Sequence, residues 1–525
     1  DFTAVGIGDM SGDVFGNGML LSEHTRLVAA FDHRDIFIDP DPDAAVSFAE
    51  RQRLFALPRS SWADYDASLI SAGGGVFSRS AKKIPVSPQM AKALGISDPP
   101  AAMTPLEVMR AILTAPVDLL WNGGIGTYVK AEEESHADVG DKANDGLRVN
   151  GQEVRARCVG EGGNLGLTQL GRIEYAIYGA GGKGGRINTD FIDNSAGVDT
   201  SDHEVNIKVL LDRVVADGDL TTKQRNSLLA EMTDEVATLV LRDNYEQNLA
   251  LANASHQAAG LLHVHEEMIR HLERDGWIKR ELEGLPSTRQ IRRRQERGRG
   301  LTSPELSVLL AWTKIVLAED LLTSELPDDP FLNADLYAYF PSKMQKKYRP
   351  QMLQHPLRRE IIVTQVVNDL VNGAGMTFWW RLAAETGASA AELVNANFVA
   401  REIFGSLPFR ERLATFDNVL EASLQTRMRL EMRTLVERAS RWLVTHRRAP
   451  LDSEGIAAFF AAAVQQTMGL LPEIISGKEK LAFTERREAL LGKGVPEDLA
   501  TFTAVLPSSY ALLSVVETAA PQSAG

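Results

Sequence analysis

Short apolar runs separated by glycine-rich and polar segments dominate the first 200 residues. Runs with the apolar and β-branched composition of strands cover residues 2–5, 27–31, 36–38, 117–121 and 155–159. Helical spacing covers residues 44–57, and Thr104-Pro105-Leu106-Glu107 has the N-cap, proline and first-turn acid of a helix start. This alternation predicts an α/β fold built on a doubly wound, Rossmann-like sheet.

The pattern changes at about Asp202, where strand signals fade and segments with helical spacing follow one another. These segments cover residues 219–248, 256–283, 302–322, 355–372, 390–404, 409–443, 452–470 and 478–491. We therefore expect two domains, an α/β nucleotide-binding domain over residues 1–205 and a large all-α domain over residues 206–525.

Closely spaced glycines follow the first predicted strand. Gly6 permits a tight turn, and Gly8 lets the backbone approach a pyrophosphate at the positive end of the following helix. Ser11 replaces the third glycine of the GxGxxG motif, and Gly12 comes one residue later. The second strand then ends at Asp32. The order strand, glycine turn, helix, strand and acid is that of a dinucleotide-binding βαβ unit.

Asp32 stands where the adenosine ribose of a dinucleotide is expected. A carboxylate there accepts hydrogen bonds from both ribose hydroxyls and repels a 2′-phosphate, which favours NAD over NADP. Arg34 argues the other way, because a guanidinium can bind a 2′-phosphate. A purely structural glycine turn is the alternative, but the strand before the glycines and the acid after them favour a nucleotide.

Three further junctions place asparagine and glycine where a strand is predicted to end. They lie at residues 122–128, 160–168 and 185–198. Doubly wound sheets bind ligands at the carboxyl ends of their strands. An asparagine amide offers both a donor and an acceptor, which suits a carboxamide such as that of nicotinamide. For each asparagine alone, turn formation is the simpler explanation.

The composition is that of a globular protein without an obvious nucleic-acid partner. The 525 residues are 44% hydrophobic and 24% charged, and the net charge is −14. The arginine-rich run 289–299 has no aromatic residue for base stacking, so we expect a solvated helix or loop. No apolar run approaches the roughly twenty residues that span a bilayer, and we see no signal peptide.

The single cysteine, Cys158, excludes a disulfide framework and fits a reducing cytoplasm. We interpret it as a small buried strand residue. No His/Cys cluster offers metal ligands, so we expect no metal. The chain opens directly into a strand without an initiating methionine, and we therefore expect it to be a piece of a longer polypeptide.

Four longer phrases carry a resemblance to a known family. They read GDMSGDVFGNG (8–18), WNGGIGT (121–127), GEGGNLGLT (160–168) and DNSAGVDTSDHE (193–204). They look like signatures of the large NAD-dependent bacterial glutamate dehydrogenases, so the chain resembles the carboxyl-terminal part of those enzymes. The resemblance is dense over the first 205 residues and weaker over the helical remainder.

The smaller glutamate dehydrogenases supply residue roles by resemblance. Their glycine turn is similar to residues 6–12, and two further phrases of theirs are similar to residues 162–168 and 194–198. The last two similarities imply that Asn164 and Asn194 hold the nicotinamide end of NAD. Ser201 would hydrogen-bond the side-chain carboxylate of glutamate. The family's carbonyl-polarising lysine and proton-shuttling aspartate come from a preceding substrate domain, so we assign no catalytic residue in this chain.

The resemblance implies NAD-dependent oxidative deamination of L-glutamate to 2-oxoglutarate and ammonia. We also expect a cytoplasmic homo-oligomer that binds neither nucleic acid nor membrane. Two alternatives stay open. One is a related dehydrogenase for an apolar amino acid, against which Ser201 argues mildly. The other is a nucleotide-sensing or assembly module whose helical half builds an oligomer.

We expect the 525 residues alone to be inactive, because the resemblance places the catalytic lysine and aspartate before residue 1. The measurement is NADH formation from L-glutamate by the purified chain. Substantial turnover would show that the catalytic groups lie within it.

Overall fold

The computed structural model describes residues 1–8 and 18–519. They form two compact units. The first, which we call the sheet unit, comprises Asp1–Ser201, Ile278–Arg294 and Leu301–Val308. The second, the helical unit, comprises Asp202–Trp277, Gln295–Gly300 and Leu309–Gly525. The chain therefore returns twice to the sheet unit, so a single cut such as the one predicted at residue 205 does not describe the division completely.

The strands of the described residues all lie in the sheet unit. They are β1 (Phe2–Ile7), β2 (Thr25–Phe31), β3 (Asp35–Ile38), β4 (Gly75–Ser78), β5 (Ile84–Pro85), β6 (Ala102–Met103), β7 (Leu119–Asn122), β8 (Val129–Lys130), β9 (Val149–Asn150) and β10 (Cys158–Glu161). The main sheet has six strands in the order β10-β7-β1-β2-β3-β4. Two small sheets pair β5 with β6 and β8 with β9.

The main sheet is mixed. Strands β10, β7, β1 and β2 run parallel, whereas β3 and β4 pair antiparallel with their neighbours. Only residues 32–34 connect β2 to β3. A parallel crossover needs a dozen or more residues, so this short link forces a hairpin. The architecture is thus α/β with a mixed six-stranded sheet, followed by a large helical region.

Helices of the sheet unit connect and cover these strands. They are α1 (Ala44–Ala56), α2 (Pro88–Leu94), α3 (Pro105–Leu113), α4 (His136–Val139), α5 (Gln169–Gly182, whose backbone is non-helical at residues 179–181) and α6 (Asp190–Asp193). The predicted start of α3 is confirmed, because Thr104 and Glu107 form a reciprocal capping box. The helix predicted between β1 and β2 covers residues 13–21, of which 13–17 lie outside the described residues, while 18–21 form turns and a bend.

Successive residues of the central strands face opposite sides of the main sheet. Ala4, Leu27 and Phe37 pack with Trp62 on one side. Val5, Val28 and Ile36 belong to a second core on the other side. Alternation of side chains across a strand explains the two cores. Because both faces are covered, ligands can reach the sheet only at its ends.

The remaining helices begin at residue 195. They are α7 (Ser195–Ala216), α8 (Thr222–Glu231), α9 (Thr233–Gln257), α10 (Leu262–Arg274), α11 (Thr288–Glu296), α12 (Ser303–Thr323), α13 (Asn333–Tyr339), α14 (Ser342–Lys347), α15 (Arg349–Leu353), α16 (Arg358–Ala374), α17 (Phe378–Thr386), α18 (Ala390–Ile403), α19 (Ser406–Ala414), α20 (Ala422–His446), α21 (Ser453–Ile474), α22 (Gly477–Leu491), α23 (Glu497–Ser509) and α24 (Leu512–Ala519).

Every helical segment predicted from spacing contains an observed helix. Two of the predicted segments, 219–248 and 409–443, are each divided between two helices. The segment 409–443 is interrupted near Asn418, whose φ of 61° is incompatible with a continuous helix. The arginine-rich run 289–299 was expected to be a helix or a loop, and most of it lies in helix α11. Its Arg294 pairs with Glu305 at 2.6 Å, so this arginine is a structural contact.

One helix exceeds the length expected from the apolar pattern. Among the described residues, α21 has 22 residues and a mean hydropathy of 1.3, long and apolar enough to cross a bilayer by length and composition. The bent pair α23 and α24 would be a second span if it counted as one. The prediction that no apolar run approaches this length is therefore wrong. One face of α21, which carries Phe460, Val464 and Met468, packs into the core of the helical unit.

Histidine 265 of α10 gives the helical unit a predictable response to acid. Its side chain is 1% exposed. Burial, with smaller effects of His263 and Arg433, lowers its pKa to about 4. The unfolded chain binds a proton near pH 6.5 and the folded chain does not, so stability falls as the pH drops below 6.5. At pH 5 the loss is about 2 kcal/mol.

We expect His265→Gln to lose less stability than the parent chain between pH 7.5 and pH 5. Urea unfolding followed by circular dichroism measures this difference. His256→Gln is the control, because His256 is exposed on α9 and is not among the groups that shift the pKa of His265. Equal acid sensitivity of the parent chain and His265→Gln would contradict the assignment.

Candidate functional site

The loops that follow four parallel strands leave the main sheet at one edge. Ile7 at the end of β1 lies opposite Phe31 of β2 and Asn122 of β7. Asn122 in turn lies opposite Glu161 of β10. Parallel pairing therefore brings the carboxyl ends of these strands side by side. We call this end of the sheet the carboxyl edge, and such edges are where α/β sheets bind ligands.

Glycines allow the backbone segments at the carboxyl edge to approach one another closely. Gly8 has a φ of 152°, which favours glycine. A Cβ atom at Gly163 would lie 2.9 Å from the carbonyl oxygen of Gly124. Side chains would therefore not fit between these loops. Gly6 lies inside β1 and not in the turn, so the glycine turn begins at Gly8.

Asp32 begins the hairpin turn that follows β2. The residue is 5% exposed to solvent. Oδ1 accepts hydrogen bonds from the backbone N–H groups of Arg34 and Asp35, both at 2.7 Å. Oδ2 is buried and has no hydrogen-bond partner among the described residues. One carboxylate oxygen thus holds the turn, and the other is left for a donor that the described protein atoms do not supply.

Asn122 is a residue of the carboxyl edge that the sequence analysis did not assign to the site. It is 1% exposed, and within the described part of the chain neither its Nδ2 nor its Oδ1 has a partner. A Cβ atom at Gly166 would lie 1.8 Å from Nδ2, so only glycine leaves room for the amide. The signal was present in the sequence, because Asn122 opens the glycine-rich phrase after β7.

The structure brings Asn164 and Asn194 together. Nδ2 of Asn194 donates to Oδ1 of Asn164 at 3.1 Å. Asn164 follows β10, as predicted. Asn194 does not follow a strand, which corrects the prediction, because it is the C-cap of α6. In the stretch 185–187, Arg186 forms an isolated β-bridge with Cys158. The stretch follows several glycines and is too short to pair with β10 over a longer distance.

A buried ion pair connects the end of β10, at the carboxyl edge, to helix α5. Arg172 of α5 donates to both carboxylate oxygens of Glu161, at 2.7 and 2.9 Å. Arg172 also contacts Asp190 at 3.2 Å. Burial raises the pKa of Glu161 to about 7, although Arg172 opposes this shift. Burial likewise raises the pKa of Asp193, which accepts a hydrogen bond from the Glu161 backbone.

The other predicted site residues stand apart from these contacts. Ser11 and Gly12 lie outside the described residues. Ser201 is exposed on α7. Cys158 is a half-buried residue of β10, and burial raises the pKa of its thiol, in line with the interpretation as a strand residue and not a nucleophile.

Family models match most of the chain. Residues 1–254 match a model described as bacterial NAD-glutamate dehydrogenase, catalytic domain, and residues 298–524 match one described as glutamate dehydrogenase, C-terminal. These matches define the class as that of the glutamate dehydrogenases, and the two models cover separate parts of the chain.

Curated relatives agree with these matches. Proteins named NAD-specific glutamate dehydrogenase are 50% identical in Mycobacterium tuberculosis, over 98% of this chain, and 49% identical in Halomonas elongata, over 99% of this chain. A protein of the same name in Pseudomonas aeruginosa is 49% identical over 98% of this chain. The chain spans 32% of the length of each relative. It belongs to the family of bacterial NAD-glutamate dehydrogenases.

We expect the sheet unit to be strongly destabilised when only one partner of the buried pair Glu161 and Arg172 is removed. Arg172→Met leaves a buried carboxylate without its partner and should lower the free energy of unfolding by about 3–5 kcal/mol. Urea unfolding measures this loss. The double variant Glu161→Gln/Arg172→Met should recover part of it, because the side chain at position 161 is then uncharged, although Asp190 still loses its contact with Arg172.

The exposed pair of Arg157 and Asp118, at 3.0 Å, is the matched control. Arg157→Met should cost less than about 1 kcal/mol, because exposed ion pairs contribute little. A similar cost for Arg157→Met and Arg172→Met would contradict the structural role of the buried pair.

Proposed function

We propose that this chain forms the NAD-binding and carboxyl-terminal parts of a larger glutamate dehydrogenase. The whole enzyme would oxidise L-glutamate to 2-oxoglutarate and ammonia, with NAD as cofactor. The names of the relatives and the matching family models support this function. The share of 32% of each relative supports a role as one part of a longer polypeptide.

The NAD proposal rests on Oδ2 of Asp32, which is buried and has no hydrogen-bond partner among residues 1–8 and 18–519. A ribose hydroxyl would supply the missing donor, and the carboxylate would repel a 2′-phosphate. The location of Asp32 at the end of β2, beside β1, supports a Rossmann-like arrangement of the four parallel strands. The residues at this edge therefore fit the adenosine half of the dinucleotide.

Other residues of the carboxyl edge would hold the rest of the cofactor. Gly8, together with Ser11 and Gly12, would bring backbone N–H groups to the pyrophosphate. The paired amides of Asn164 and Asn194 keep one donor nitrogen and one acceptor oxygen outside their mutual hydrogen bond, which suits the nicotinamide carboxamide. Asn122 offers a further buried amide at the same edge.

Bound NAD supplies the acceptor for the hydride that leaves the α-carbon of glutamate. The part of this chain is to orient the two reactants and to exclude water between them. Ser201 would donate a hydrogen bond to the side-chain carboxylate of glutamate. We further propose that the enzyme is a cytoplasmic homo-oligomer, because the chain has one cysteine and a large helical region.

Glutamate dehydrogenation is favoured over the two alternatives left open by the sequence, an apolar amino-acid substrate and a nucleotide-sensing module. The matched relatives are all named for glutamate, which favours it over an apolar amino acid. A nucleotide-sensing module without catalysis is less favoured, because a matching model is described as a catalytic domain.

The variant Asp32→Asn tests the NAD proposal. Its Oδ1 can still accept from Arg34 and Asp35, so the hairpin turn should persist, but the charge facing the ribose is lost. We expect the affinity of the variant for NAD to fall about 10- to 100-fold. Its affinity for NADP should fall less than this or should rise. Fluorescence or calorimetric titration of the 525-residue chain measures both nucleotides.

Asp41→Asn is the matched control, because Asp41 is exposed and pairs with Arg26 at 2.5 Å, away from the carboxyl edge. It should bind NAD like the parent chain. Unchanged affinity of Asp32→Asn for NAD would overturn the assignment of the ribose site.

A further inference from the structure

A cavity lies within the helical unit. Its volume is about 550 Å³, within the range of sites that hold small molecules. The helices around it are α9, α16, α18, α19 and α20. No residue of the carboxyl edge lines this cavity, so the argument for it is independent of the function proposed above.

Three asparagines bring unsatisfied amide groups to the cavity wall. Asn397 of α18 is 1% exposed, and Asn253 of α9 and Asn372 of α16 are each 7% exposed. Oδ1 of each has no hydrogen-bond partner in the described chain, and neither has Nδ2 of Asn397. Buried amides are nearly always hydrogen-bonded in folded proteins. Three exceptions around one cavity indicate that its contents complete their hydrogen bonds.

Arginines outnumber acids in the same wall. The lining arginines are Arg242, Arg401, Arg410, Arg429 and Arg433, against Glu246 and Glu411. Arg410 is paired with Glu246 at 2.5 Å, and Arg401 is paired with Asp369. These contacts neutralise part of the charge, and the cavity keeps a net positive lining.

Arg433 is a half-buried arginine of the cavity wall that has no ion pair among the described residues. Its guanidinium lies against Gly375, where a Cβ atom would come within 2.0 Å of Nη2. The described residues offer it no hydrogen bond and no ion pair within 4.0 Å. Burial lowers its pKa to about 10, while Glu437 opposes the shift. Arg433 is therefore charged at neutral pH and faces the cavity in need of an anion.

We propose that this cavity binds a small oxyanion-bearing metabolite, with Arg433 contacting the anionic group and the asparagine amides contacting the remainder of the ligand. A guanidinium pairs with either a carboxylate or a phosphate through two parallel hydrogen bonds. The ligand is thus a carboxylate or a phosphate compound, and the donors and acceptors of the three amides select polar groups beside the anion.

Calorimetric titration of the 525-residue chain with succinate and, separately, with inorganic phosphate tests this proposal. We expect saturable binding of at least one anion, and the tighter of the two identifies the ligand as a carboxylate or a phosphate compound. Arg433→Gln should weaken that binding at least tenfold and should leave the unliganded chain as thermally stable as the parent or more so, because it removes an unpaired buried charge.

Arg427→Gln is the matched control, because Arg427 is exposed on α20 and does not line this cavity. It should bind the anion like the parent chain. Asn397→Asp is a second test variant, since it places a negative charge in the cavity wall and should also weaken anion binding at least tenfold. A cavity that holds only water predicts no saturable binding of either anion. That result, or equal binding by the parent chain and both test variants, would overturn the proposal.

Discussion

Parallel pairing of β10, β7, β1 and β2 is the constraint on which the candidate site depends. Each strand is buried on both faces, so its side chains build the two cores and only its end is open to a ligand. Parallel direction puts these open ends at one edge. The loops that carry Gly8, Asp32, Asn122 and Asn164 therefore start side by side, although more than 150 residues of chain separate the first from the last.

The polar groups at this edge fall into two kinds. Arg172 donates hydrogen bonds to both carboxylate oxygens of Glu161, so the two residues form a structural pair. This bidentate contact holds α5 against the end of β10. Asp32 and Asn122 keep buried atoms for which the described part of the chain supplies no partner. An unpaired buried polar atom destabilises a fold, so its presence at a strand end points to a ligand, whereas a satisfied pair points to architecture.

The same distinction separates the arginines of the helical unit. Arg401 and Arg410 are held by Asp369 and Glu246 and therefore tie helices together. Arg433 has no such partner and lies beside unsatisfied asparagines. Sequence patterns cannot separate these cases, because each arginine occupies an ordinary position of a helix. Only the packing of α9, α16, α18 and α20 shows which charges are paired.

The sequence by itself determined the local elements, the division into an α/β part and a helical part, and the family. Capping at Thr104 and the apolar spacing of the helices act within a few residues, so the pattern reveals them. Tertiary structure decided which carboxylates pair with Arg172, the contact between the amides of Asn164 and Asn194, and the burial of Asn122. These features depend on which distant segments meet, because a side chain's hydrogen-bond partners are chosen by packing and not by its neighbours in the chain.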